Sequence, residues 1–304
     1  MLLKNLVFRA VIGFLLLFSA KATLAVPRVV VSILPIHAIV SAIGQDVFEP
    51  ELLLPANYSP HQYQLKPSDL RKLKTSDLLF WIGPQLEEFL LRPLTNLSDG
   101  PELISMMELE GLQTLKQRSN QLESDHGHSG QDPHIWLSIN NAIVMAREIS
   151  TQLSRVDASN SAIYASNLSR FETRLEKMSR AINADLSEVK GKSFITYHDA
   201  FQYFEKEYGL QSSGVVISSE DVSPGASTIA ELRNKIAMGT VSCVFYEPQY
   251  SRKIVVTLVE GSSVEAVLID SMGVGVLPGA QAYYQLLQQV AAGFSSCLNN
   301  STVQ

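Results

Sequence analysis

Short apolar runs alternate with amphipathic stretches through the first hundred residues. Val29-Val30-Val31-Ser32-Ile33 reads as a buried strand, and the stretch from His37 to Ile43, stopped by Gly44, reads as a short helix. Glu51-Leu52-Leu53-Leu54 is the next strand. Pro67-Ser68-Asp69-Leu70 opens a helix, with proline and capping residues in its first turn. Leu78-Leu79-Phe80-Trp81-Ile82 is a third strand, closed by Gly83-Pro84. This alternation predicts a parallel sheet with helices on both faces. The pattern returns after residue 190, with strands over 194–197, 215–217, 241–246 and 264–269. Helical patterns there cover 201–208, 228–238, 252–260 and 283–297.

Between these two regions the pattern changes. Neither Gly nor Pro occurs from His134 to Lys190. Tyr164, Leu168, Phe171, Leu175, Met178, Ile182, Leu186 and Val189 recur at intervals of three and four, one apolar stripe on a long helix. From about Ser159 to Val189 such a helix would be roughly 45 Å long. A coiled coil has a similar period, but the stripe is short and has α/β patterns on each side. The expected fold is therefore α/β, with two lobes, each a parallel sheet with flanking helices, joined by one long rigid helix. The expected boundaries are an N-terminal lobe over 26–150, the linking helix over 151–190 and a C-terminal lobe over 191–304.

The first 25 residues lie outside that scheme. Lys4 and Arg9 precede an apolar run from Val11 to Phe18, and Thr23-Leu24-Ala25 ends it. That is the pattern of a secretory signal peptide cut after Ala25. The run is short for a membrane anchor, and no Cys stands near the cut to carry a lipid. The product is expected to be exported and periplasmic. The 304-residue chain has a net charge of −6. A leader holding Lys4, Arg9, Lys21 and no acid leaves −9 after removal. With no basic cluster, nucleic-acid binding is excluded as a function class. The two cysteines, Cys243 and Cys297, are an even count in an exported chain, which favours a disulfide over two buried thiols.

Candidate chemistry resides in three histidines from three separate segments: Ser59-Pro60-His61-Gln62-Tyr63, Asp132-Pro133-His134-Ile135-Trp136 and Ile195-Thr196-Tyr197-His198-Asp199. Neutral imidazole suits a borderline cation such as zinc. Parallel sheets bind ligands beyond the carboxyl ends of their strands. His198, Glu247 and Asp270 each follow a C-terminal-lobe strand pattern. A cleft gathering His61, His134, His198 and one carboxylate, Asp270 foremost, would make a near-tetrahedral zinc site. Each residue also has a plainer role open to it. Asp270 caps a turn, Glu247 orients a ligand histidine, His37 is structural, and Tyr63, Trp136 and Tyr197 pack. The loop 123–132 holds His126 and His128 among acids and small residues, a composition suited to weak accessory metal capture. A three-histidine zinc site with an open position can also activate water. No His-Glu-x-x-His run accompanies it, so a zinc hydrolase is the lesser reading.

Several of these segments also carry a family likeness. Ser59 to Asp69, Asp132 to Ser138 and Tyr197 to Phe204 resemble the three metal loops of the metal-specific solute-binding proteins of ABC importers. Cys243 to Tyr250 and Leu268 to Gly273 resemble that family's two later motifs. The resemblance covers nearly the whole chain after the leader. It implies two α/β lobes joined by one long helix, with metal between them on residues matching His61, His134 and His198. It also implies a histidine-containing loop before the second ligand and a C-terminal-lobe cysteine pair. The residue matching Asp270 is a ligand in manganese members. This chain has Asp270-Ser271-Met272-Gly273 where Asp-Pro-Leu-Gly is usual. Manganese members carry Glu where His198 stands, and imidazole there moves the preference toward zinc. The implied role is a monomeric, non-enzymatic receptor that delivers Zn²⁺ to an inner-membrane ABC permease. A manganese or iron receptor, or an adhesin, is the alternative within the same family.

Overall fold

The computed structural model describes residues 26–97, 100–118, 130–217 and 224–300. Two four-stranded parallel sheets organise them. The first holds β1 (Val29–Val31), β2 (Glu51–Leu52), β3 (Leu78–Trp81) and β4 (Glu102–Ser105) in the order β2-β1-β3-β4. The second holds β5 (Ser193–His198), β6 (Gln211–Ile217), β7 (Cys243–Tyr246) and β8 (Glu265–Leu268) in the order β6-β5-β7-β8. Both sheets use the same permutation. The chain leaves the first strand toward one edge and returns to its other side, which opens a crevice beyond the carboxyl ends where the direction reverses. In the second sheet that crevice lies between β5 and β7.

The central strands β1 and β3 are buried along their whole length, as continuous apolar runs in a doubly covered sheet should be. The edges read less clearly. β4 buries only Ile104, and β6 begins with the polar Gln211-Ser212-Ser213. The helices are α1 (Leu34–Ile43), α2 (Pro67–Thr75), α3 (Glu88–Thr95), α4 (Ile139–Val156), α5 (Ser161–Asp185), α6 (Gln202–Tyr208), α7 (Ala226–Ala237), α8 (Lys253–Val259) and α9 (Ala282–Asn300). The stretches that became α3 and β4 carried no clear pattern. α3 contains Pro93, and only Leu90 of it is buried.

The Gly- and Pro-free run forms two helices. α4 crosses residue 150 and stops at Val156. The Asp157 carboxylate then accepts from Ser159 Oγ (2.6 Å), Asn160 Nδ2 (2.7 Å) and Tyr164 Oη (2.8 Å), fixing the reversal into α5. The linking helix is thus α5, about 37 Å long at 1.5 Å per residue. It buries Tyr164, Phe171, Leu175, Met178 and Ile182, the stripe expected from the spacing. Near its start Asn167 Nδ2 donates to the carbonyls of Ile43 (2.8 Å) and Gln45 (2.9 Å) behind α1. Further along, the Arg174 guanidinium lies 3.6 Å from the Tyr284 ring of α9.

One apolar core runs through both lobes, from Val31 and Ile39 through Met145 and Phe171 to Phe194 and Phe294. Phe294 stands among Phe194, Phe201, Phe204 and Phe245 at centroid distances of 4.8 to 5.7 Å. The Cys243–Cys297 disulfide joins the first residue of β7 to α9, with Cα atoms 6.2 Å apart.

Candidate metal centre

Three different local devices aim the three imidazoles. His61 lies in the loop between β2 and α2. Asp69, in the first turn of α2, accepts from Lys66 N (2.9 Å) and Tyr63 Oη (2.8 Å), folding the loop back onto its helix. The amide of His61 itself donates to Ser59 Oγ (3.2 Å). His134 is held by Asp132, whose Oδ1 meets both the His134 amide (3.0 Å) and ring Nδ1 (2.7 Å). His198 is the last residue of β5, at the reversal of the second sheet, and its Nδ1 lies 3.1 Å from Glu247 Oε2 just beyond β7. A carboxylate on Nδ1 places the ring proton there and leaves Nε2 with the lone pair, the tautomer a metal requires.

The rings converge. His134 and His198 have centroids 4.8 Å apart, and His61 stands 5.9 Å from each. One ring nitrogen from each lies within 4.8 Å of the others. Nitrogens sharing a tetrahedral zinc are about 3.3 Å apart at ordinary Zn–N lengths, so an ion would draw the three together by a modest amount. His134 and His198 are buried, and His61 is half-buried. Burial, and then the neighbouring His134 and His198, hold the His61 imidazole well below its ordinary pKa. It is therefore neutral, the ligating form.

Asp270 is outside this three-residue group. Its Oδ1 accepts from Met272 N (2.9 Å) and its Oδ2 from Val274 N, so the carboxylate closes its own turn. Burial pushes its pKa up. Glu247 holds the orienting position at His198. His37 is buried within α1, with Nε2 2.9 Å from the Pro50 carbonyl and Nδ1 3.3 Å from Ser41 Oγ. His126 and His128 lie outside the described residues.

One network had no signal in motif or spacing. Arg118 Nε donates to Asp199, the residue after His198, at 3.0 Å, and its Nη1 donates to Glu205 of α6 at 2.8 Å. Burial alone would lower the Arg118 pKa, but the two carboxylates overcome that and push it up. Beside it, Gln202 Nε2 donates to the Lys116 carbonyl (3.0 Å) and Asp132 Oδ2 (3.1 Å). Tyr203 Oη accepts from Leu115 N (3.0 Å) and donates to the Asp132 carbonyl (2.7 Å). The segment leading to His134 is thus laced to the helix that follows His198.

The family model described as zinc-uptake complex component A, periplasmic (ZnuA), matches residues 29–297, a span that includes all three histidines. The chain belongs to the ZnuA family. The high-affinity zinc uptake system protein ZnuA of Brucella suis is 33% identical over 305 residues, covering 89% of this chain and 91% of that protein. The ZnuA of Yersinia pestis is 31% identical over 309 residues, covering 95% and 97%. A crystal structure of a zinc-bound ZnuA deletion mutant matches with a TM-score of 0.77 at 25% identity, covering 92% of this chain and all of the other. The ZnuA fold, two parallel-sheet domains linked by a long helix, is the fold described above.

Proposed function

We propose that this protein is a periplasmic zinc receptor that captures Zn²⁺ between its lobes on His61, His134 and His198 and delivers it to an ABC permease. The observation that carries the reading is the convergence of three imidazoles from three distant segments, with ring nitrogens within 4.8 Å. Membership of the ZnuA family and the names of the relatives support it. The donor set is the one a borderline cation prefers over the harder manganese ion. Asp270 keeps its turn, and solvent completes the coordination. The ion is cargo and the protein turns over no substrate. It works as a monomer, exported by a leader over 1–25 that is removed. Among the described residues no helix is long and apolar enough to cross a membrane.

Competitive titration of one metal-free sample with zinc and manganese tests this directly. Zinc should bind at one tight site and outcompete manganese. Removing a direct ligand should cost more than the roughly 10–100-fold typical of an outer partner. His198→Ala should therefore weaken zinc by more than about 100-fold while the fold persists. Unchanged zinc affinity in that variant, or a preference for manganese, would overturn the assignment.

A further inference from the structure

We propose that Ser271 is a positioning residue for zinc capture, acting through Glu247 on the His198 ring. The inference rests on the zinc-receptor reading above and assigns a role to a side chain that touches no metal.

Glu247 is almost fully buried, and its two oxygens are divided between two partners. Oε2 faces His198 Nδ1 at 3.1 Å, and Oε1 accepts from Ser271 Oγ at 2.5 Å. A buried carboxylate with one oxygen lacking a donor is costly and free to rotate. The Ser271 hydroxyl removes both problems. It occupies Oε1, so that only Oε2 addresses the imidazole, and the His198 ring is fixed in plane and tautomer.

Ser271 is itself held in place. It is buried, in a turn closed by Asp270 accepting from Met272 N (2.9 Å) and Val274 N. The turn uses Gly273 at φ +85°, with Leu34 Cδ2 of the other lobe 3.1 Å from where a Cβ would stand. The Ser271 carbonyl accepts from Trp136 Nε1 (2.8 Å), and the Trp136 ring lies 5.3 Å from that of His134. Tyr283 Oη of α9 donates to the Trp136 carbonyl (2.6 Å), anchoring this side in the core. One residue therefore touches the supports of two imidazoles: its hydroxyl serves His198 and its carbonyl serves the indole beside His134. Loss of the side chain removes only the first contact.

The test compares wild type, Ser271→Ala, Ser271→Thr, Glu247→Gln and the Ser271→Ala/Glu247→Gln double variant. Each is measured for zinc affinity by chelator competition and for the visible absorption of bound Co²⁺, which reports ligand geometry. Ser271→Ala should weaken zinc about 10–100-fold and alter the cobalt spectrum. Ser271→Thr, which keeps the hydroxyl, should restore both. In the Glu247→Gln background the alanine change should add nothing. Melting of the metal-free proteins separates these effects from misfolding, and Ser271→Gly removes the same hydroxyl if the alanine variant does not fold. Wild-type affinity and spectrum in Ser271→Ala, failure of threonine to rescue, or fully additive losses in the double variant would overturn the role while leaving the site intact. Failure of the wild type to bind zinc would instead overturn the receptor reading.

Discussion

Glu87 offers a quantitative test of how this fold manages a buried charge. It is fully buried just before α3, against the ends of β1 and β3. Its Oε1 accepts from Ser32 Oγ (2.5 Å) and Ile82 N (3.1 Å), and its Oε2 from Gly83 N (2.9 Å). Burial raises its pKa from 4.5 to about 7, and these hydrogen bonds oppose the rise without cancelling it. Between those values the folded protein keeps a proton that the unfolded chain has lost. Stability contributed by this group is therefore fully present below 4.5 and is lost as pH rises to about 7. At 1.36 kcal/mol per unit the loss is about 3 kcal/mol. Glu87→Gln removes the titration. It also turns an amide toward Gly83 N, a cost of about 1–3 kcal/mol that does not vary with pH. Urea unfolding of both metal-free proteins across this range gives the difference in stability at each pH. Burial also raises the pKa of Glu205, Glu207 and Asp270, so the difference between the two proteins, and not either curve alone, isolates Glu87. The advantage of wild type over the variant should shrink by about 3 kcal/mol from acid to slightly alkaline pH. A difference that stays flat would refute the reasoning.

Two further outcomes follow from other contacts. Arg118→Ala leaves Asp199 and Glu205, each with 6% of its side chain exposed, without their guanidinium. Breaking a buried pair costs about 3–5 kcal/mol, and the partial exposure of Arg118 places this case near about 3 kcal/mol; denaturant unfolding checks it, and a loss below about 1 kcal/mol would show that the carboxylates find other relief. Replacing Cys243 and Cys297 by Ala opens a 54-residue loop. The loop-entropy account puts the loss at about 4 kcal/mol, and unfolding midpoints equal to wild type would show that the bridge constrains nothing the unfolded chain explores.

Much of the architecture is legible in the sequence. β1 and β3 are covered on both faces, so their residues form continuous apolar runs. The stripe from Tyr164 to Ile182 keeps the period of a helix because one face of α5 is buried throughout. β4 is an edge strand with one buried residue and leaves no alternation in the sequence. The break at Asp157 needs neither Gly nor Pro, since a carboxylate satisfied by three nearby donors stops α4. The three histidines stand out by residue type, and His198 also by its place at the end of a strand. Asp270 also follows a strand, and its oxygens are taken by amides two and four residues on, the turn-capping role that its sequence context leaves open beside ligation. The roles of Arg118 and Ser271 depend on contacts 81 and 24 residues away, and no local pattern encodes such partners.

The apolar face of α5 lies along α1 of one lobe and α9 of the other, and α9 in turn packs on α1. Neither half closes its own interior. A fragment ending inside that helix would carry a raw hydrophobic flank and the entropy of an unfinished core. Heat should therefore melt the molecule as a single body, with one endotherm where a pair of tethered modules would give two. Zinc bound as proposed would then protect the entire polypeptide, because losing any part of the shared interior would mean losing the ion as well.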